Sequence, residues 1–239
     1  MRRWAPLLVV AVALSACQTT QELSAERAKA AKKLVNQKGL TVSRENPNIA
    51  IGTTAVLQDK NGIAAVVELR NTGREAQAGL PVSIAVTDAA GKALYRNDVA
   101  GLEDSLVTMP LLTKGEDAFW VNNQISATGK PAKVQAKVGA AKGKVPAQVP
   151  RFAISDVALD SDTDGVFAKG TIVNQSKVAQ RRLTIFCVAR KGGTIVAAGR
   201  AILDALAPAG AKPTRFTVFF IGNPKGAKLT FSAPPTVLE

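Results

Sequence analysis

The chain has 239 residues, with 31 Lys and Arg against 18 Asp and Glu, a formal charge of +13 and no histidine. That length exceeds one small sandwich and suits two domains of ordinary size. The missing imidazole excludes Ser-His-Asp chemistry, His-ligated zinc and the usual neutral-pH acid–base group.

The N-terminus opens MRRWAPLLVVAVALSAC. Arg2 and Arg3 precede an apolar run, Leu7 to Leu14, that is too short to span a bilayer. This is the layout of a secretory signal peptide, over residues 1–16. The run ends in Leu14-Ser15-Ala16-Cys17. This run resembles the bacterial lipobox, which implies cleavage before Cys17 and a lipid on its thiol; two small residues suit a peptidase cleft, and Cys17 is the nucleophile placed to accept that lipid. Cleavage there would remove two arginines and lower the charge from +13 to +11. Two or three acyl chains on Cys17 would anchor the chain stably, each buried methylene contributing about 0.8 kcal/mol.

Residues 17–47 read as a lipidated tether, partly helical. Ala, Lys, Glu and Arg dominate its first part, and Gly39 is suited to a helix C-cap. Lys29, Lys32 and Lys33 would lie close to the lipid and favour anionic headgroups.

From residue 49 the apolar period becomes two. IAIGTTAVL, IAAVVELRN, LPVSIAVT, KALYRNDV, AFWVNNQI and KVQAKVG are strand-length runs between Gly, Asn, Asp and Pro clusters. A second series follows, from FAISDVAL to AKLTFSAP. Sliding the chain by 103 residues places Gly62 on Gly165, Asn71 on Asn174 and Leu80 on Leu183. Small slips place Gly91 on Gly193, Phe119 on Phe216 and Ala132–Val134 on Ala227–Leu229. The expected fold is all-β, two tandem Ig-like antiparallel sandwiches over residues 48–140 and 151–239, joined by a Gly/Lys/Pro linker at 141–150. Phe152, Phe186, Phe216, Phe219 and Trp120 are the expected large core side chains, with Trp120 and Tyr95 alternatively a binding patch.

Cys17 being committed to lipid, Cys187 is left alone in the strand-like run RRLTIFCVAR and reads as a buried structural thiol. Arg181, Arg182 and Arg190 bracket that run and, with the tether lysines, form a candidate basic surface. Only Phe186 lies between them, so the aromatic-interleaved face of a nucleic-acid binder is not formed. DSDTDG, residues 160–165, offers Asp160, Asp162 and Asp164 as calcium ligands. The twelfth position of such a loop is Thr171 rather than Glu, and the aligned QDKNG in the first series is an Asn-Gly turn. A hairpin turn is therefore the expected role, and no metal or other cofactor is assigned. Glu103 and Asp104 would point apart as strand neighbours, and no nucleotide or nucleophile-elbow motif is present. No enzymatic role is expected.

LSAC resembles the bacterial lipobox, and Gln18 in place of Asp implies outer-membrane delivery where the host has one. The second series resembles the FxLYD type of Ig-like domain of bacterial surface lipoproteins. FAISDVAL, GTIVNQS, RKGGTIV and LAPAG…TRFTVFF carry the likeness over residues 150–235, with Gly170, Val173, Asn174, Gly193 and Phe216 at matching places. The sequence departs from the pattern where ARKGG replaces an acidic turn, and it lacks the aromatic-Asp pair. The resemblance implies a non-catalytic extracytoplasmic module, held on the outer membrane or, in a Gram-positive host, the cell membrane. Its partner would be another envelope protein; the alternative is an acidic polymer or lipid bound through the basic surface.

Overall fold

The structure is a computed structural model that describes residues 39–238, so Cys17, the tether helix and its lysines lie outside the described residues. The described residues belong to one compact unit. No described helix is long and apolar enough to cross a membrane.

The architecture is all-β and antiparallel. The first series forms β1 (Ile49–Asp59), β2 (Gly62–Asn71), β3 (Gln77–Thr87), β4 (Ala93–Arg96), β5 (Thr108–Leu112), β6 (Asp117–Ile125) and β7 (Lys133–Val138). A single 3-10 turn, Asp104–Leu106, precedes β5. The second series forms β8 (Phe152–Ser161), β9 (Val166–Asn174), β10 (Gln180–Lys191), β11 (Thr194–Leu206), β12 (Thr214–Gly222) and β13 (Lys228–Ser232).

Strand pairing repeats between the two series. β1-β2-β6 form one sheet, and β3 pairs with β4, β5 and β7. The second series has β8-β9-β12 and β13-β10-β11 in the same roles, but β11 also pairs with β12 and joins them into one six-stranded sheet. Ile49 faces Asn71 as Phe152 faces Asn174, and both strand pairs carry a bulge after that point. Val86 opposite Val134 recurs as Ala189 opposite Leu229. Asn71 accepts from the Gly73 amide at 2.9 Å and donates to the Glu75 carbonyl at 2.8 Å. Asn174 does the same with the Ser176 amide, 2.9 Å, and the Val178 carbonyl, 2.8 Å. Each Asn ties the loop after its strand, a local side-chain-to-backbone turn.

Two expectations need correction. Val67 pairs with Trp120, and its counterpart Gly170 pairs with Phe216. Trp120, not Phe119, is therefore the partner of Phe216 in the repeat. A one-residue slip moves a side chain to the opposite face. Trp120 is accordingly fully buried, while Phe119, also buried in this core, lies on the other face of the strand beneath the Arg190 guanidinium at 4.9 Å. Phe219 is not a core residue; it is 47% exposed. Phe216, Val218 and Phe220 take the inward positions of β12, which leaves Phe219 on the other face.

The core explains why the two series form one body. Leu183, Ile185, Cys187 and Ala189 of β10 enter the core of their own series. Phe186 and Val188, on the opposite face, pack with Ile195, Ala198 and Ile221 into the core of the first series. A strand buried on both faces reads as a continuous apolar run. Polar contacts close the same seam. The Asp59 carboxylate accepts from the Gly222 amide at 2.8 Å. The Asn61 amide donates to the Asp164 carbonyl at 2.8 Å, so the two aligned hairpin tips touch. Residues 139–143 are tied to β3: the Gly139 amide donates to the Pro81 carbonyl and the Gly143 amide to the Ala78 carbonyl.

Candidate functional site

A cleft of about 740 Å³ opens where the two series meet. Three segments carry its charged side chains. The 3-10 turn and its N-cap contribute Glu103, Asp104 and the hydroxyl of Ser105, the segment after β7 contributes Lys142 and Lys144, and the start of β10 contributes Arg181 and Arg182. Ala78, Pro110, Ile202 and Leu238 supply apolar surface.

The backbone sets these side chains. The Lys142 and Gly143 amides both donate to the Ala78 carbonyl, at 3.1 and 2.9 Å, which fixes the segment carrying the two lysines. Close approach requires Gly79: a Cβ there would lie 2.9 Å from the Gly143 nitrogen, and its φ is +61°. Its repeat counterpart is Arg182, also left-handed, at φ +49°. For a residue with a Cβ that conformation costs roughly 1–2 kcal/mol. Arg182 is ion-paired with Glu103 across the seam. The Arg200 guanidinium reaches the other oxygen of Glu103 at 3.4 Å, Ser105 Oγ at 2.5 Å and Gln124 Oε1 at 2.8 Å. Burial lowers the Arg200 group from its ordinary value to about 10; Tyr95 opposes the shift and the Arg182 charge adds to it. Arg200 thus remains cationic at neutral pH and holds Glu103 from behind. Among the described residues, the cleft lining carries four cations, Lys142, Lys144, Arg181 and Arg182, against the carboxylates of Glu103 and Asp104.

Of the basic residues singled out in the sequence, Arg181 and Arg182 meet at this cleft. Arg190 does not join them. It bonds Glu68 at 3.0 Å across the seam and stacks on Phe119. Burial pushes the Glu68 carboxyl up, but hydrogen bonds from Thr53 and the Arg190 charge outweigh it and leave the group below its ordinary value of 4.5. Arg190 is thus a seam residue. Lys142, Lys144 and Glu103 are the cleft residues that sequence reasoning missed. The offset of 103 carried one signal for the site, since it sets Arg182 on Gly79, a position whose φ is positive in both series.

The acidic turn does not converge on a metal. Asp162 Oδ1 accepts from the Asp164 and Gly165 amides at 2.9 and 3.1 Å. Asp160 bonds Lys169 at 2.7 Å. No group of three or more His, Cys, Asp or Glu that could hold a metal occurs among the described residues. The six residues are the hairpin between β8 and β9, with Gly165 at φ +146°. Cys187 is fully buried, and burial pushes its thiol up, away from a reactive thiolate. Glu103 and Asp104 both line the cleft, Glu103 as the ion-pair acceptor of Arg182 and Arg200. Tyr95 is half-buried, its hydroxyl accepting from Asn122 at 3.1 Å.

No protein-family model matches this chain, and no curated protein matches it.

Proposed function

We propose that this chain is a bacterial envelope lipoprotein, anchored through Cys17, whose β body is a non-catalytic interaction and assembly module. The observation that carries the reading is the seam. Two series of strands are locked face to face by Phe186 and Val188 and by the Asp59–Gly222 and Asn61–Asp164 bonds. Such a body holds a fixed relative geometry between its surfaces, which suits a scaffold. The apolar run ending in Leu14-Ser15-Ala16-Cys17 supports the anchor.

We further propose that the β body is two tandem Ig-like units, over 48–140 and 151–239, the second of the FxLYD kind. Its support is the shared pairing register and the paired roles of Asn71 and Asn174. The test of the anchor is mass analysis of the N-terminal peptide from the natural host, with and without an inhibitor of the lipoprotein signal peptidase. A diacylated Cys17 that disappears with the inhibitor is the expected result; an unmodified Cys17 overturns the localisation. For the assembly role, in-cell crosslinking from seam-distant surface positions should give one discrete envelope adduct that persists at high salt. The alternative, an acidic polymer or lipid held by basic charge, is favoured by the cleft. It would show salt-sensitive association instead.

A further inference from the structure

We infer that the seam cleft is a binding site for a phosphate group carried on a small organic body. This goes beyond the assembly reading and does not depend on lipidation of Cys17.

Three observations carry it. The first is charge. Among the described residues, four lining cations exceed the two lining carboxylates, and one of those, Glu103, is already held by Arg182 and Arg200. That excess suits a phosphate group, which carries about −1 as the diester of a phospholipid and about −1.5 to −2 as a monoester at pH 7. Among the described residues, Lys142, Lys144 and Arg181 make no ion pair. Their donors are therefore available to an incoming anion.

The second is conformational. At the position where the first series has Gly79, the second keeps Arg182 in the left-handed region. Glycine would hold that backbone with no Cβ penalty. A strained arginine, tied by Glu103 and set at the mouth of a basic cleft, is oriented rather than merely tolerated. Its planar fork suits two oxygens of one phosphate.

The third is size and surface. At about 740 Å³ the cleft is far larger than a bare phosphate and falls in the range of small-molecule sites. Pro110, Ile202 and Leu238 give it an apolar wall for the body that bears the phosphate. Such a group could arrive as a soluble sugar phosphate or as a phospholipid headgroup, and the two are separable.

The test is calorimetric titration of the full-length chain in nonionic detergent with glucose 6-phosphate, and detergent-free flotation of the unacylated Cys17→Ser chain, alone and combined with each cleft variant, on phosphatidylglycerol or phosphatidylcholine vesicles. Saturable binding of at least one phosphate probe is expected, weakening by roughly tenfold or more in Arg182→Gly and in Lys142→Ala/Lys144→Ala. Arg215→Ala, outside the cleft, should bind as wild type. Arg182→Gly places in β10 the residue that Gly79 already provides in β3, so the variant should fold. Flotation on phosphatidylglycerol that glucose 6-phosphate competes away and that Arg182→Gly loses assigns a lipid headgroup. Glucose 6-phosphate binding without an Arg182-dependent flotation difference assigns a soluble ligand. The inference is overturned if neither probe binds, if Arg182→Gly and wild type bind alike, or if sodium sulfate and chloride compete equally well at matched ionic strength. A lipidated Cys17 with a silent cleft would leave the envelope reading standing and remove only this one.

Discussion

Phe186→Ala tests whether the two series of strands are one cooperative body. Phe186 belongs to the second series, yet its ring is fully buried in the core of the first. A buried Phe removes about 150–250 Å² from water. At ~25 cal/mol per Å² that is worth ~4–6 kcal/mol, an upper value because the unfolded chain is itself partly compact. Truncation to Ala typically costs 3–5 kcal/mol once the cavity is included, or about 3–5 here, since the surrounding strands limit collapse. For a unit of this size each kcal/mol lowers the Tm by roughly 2–4 °C, so the expected loss is about 6–20 °C. The assay is differential scanning calorimetry beside Leu80→Ala, in the first core, and Leu183→Ala, in the second. One transition should move in all three variants, because β10 and β11 carry apolar residues into both cores. Two resolved transitions, with Leu80→Ala and Leu183→Ala each moving its own and Phe186→Ala moving only the second, would refute the shared core.

Asn71→Ala should cost about 1–3 kcal/mol by chemical denaturation, since it leaves the Glu75 and Leu112 carbonyls and the Gly73 amide without their partner. Asn174→Ala should cost less, having no counterpart of the buried Leu112 bond; equal losses would count against that assignment. Gly170→Ala places a Cβ 2.6 Å from Phe216 Cζ and should cost about 1–3 kcal/mol through displaced packing, read by the urea midpoint. The Glu68 carboxyl sits below its ordinary value of 4.5, so its contribution is complete above that pH and is lost as pH falls through the lower folded value. Stability measured between about pH 6 and about pH 3, roughly 1.5 pH units either side of the ordinary value, should therefore fall less steeply in Glu68→Gln than in wild type. Millimolar calcium should leave the melting temperature unchanged, because Asp162 is occupied by backbone amides and Asp160 by Lys169.

The sequence by itself determined the strands, the turns and the repeat, because these are written in local periodicity and local turn chemistry. Gly62, Gly165, Asn71 and Asn174 mark bends whose hydrogen bonds close within a few residues. The offset of 103 therefore recovered β1 to β3 against β8 to β10 in register, bulge included. It failed at β6, where Phe119 and Trp120 are adjacent aromatics. Only the pairing with Val67 decides which of them faces inward. The tertiary structure alone decided the seam. In RRLTIFCVAR an unbroken apolar run states that both faces are buried but not against what, and the face carrying Phe186 and Val188 found the other series. The same holds for the cleft. Lys142 and Lys144 look like solvated linker charges in the sequence, and Glu103 like a surface acid. Long-range contacts, from the Lys142 amide to the Ala78 carbonyl and from Arg182 to Glu103, bring them to Arg181 and Arg182, a juxtaposition no local pattern encodes.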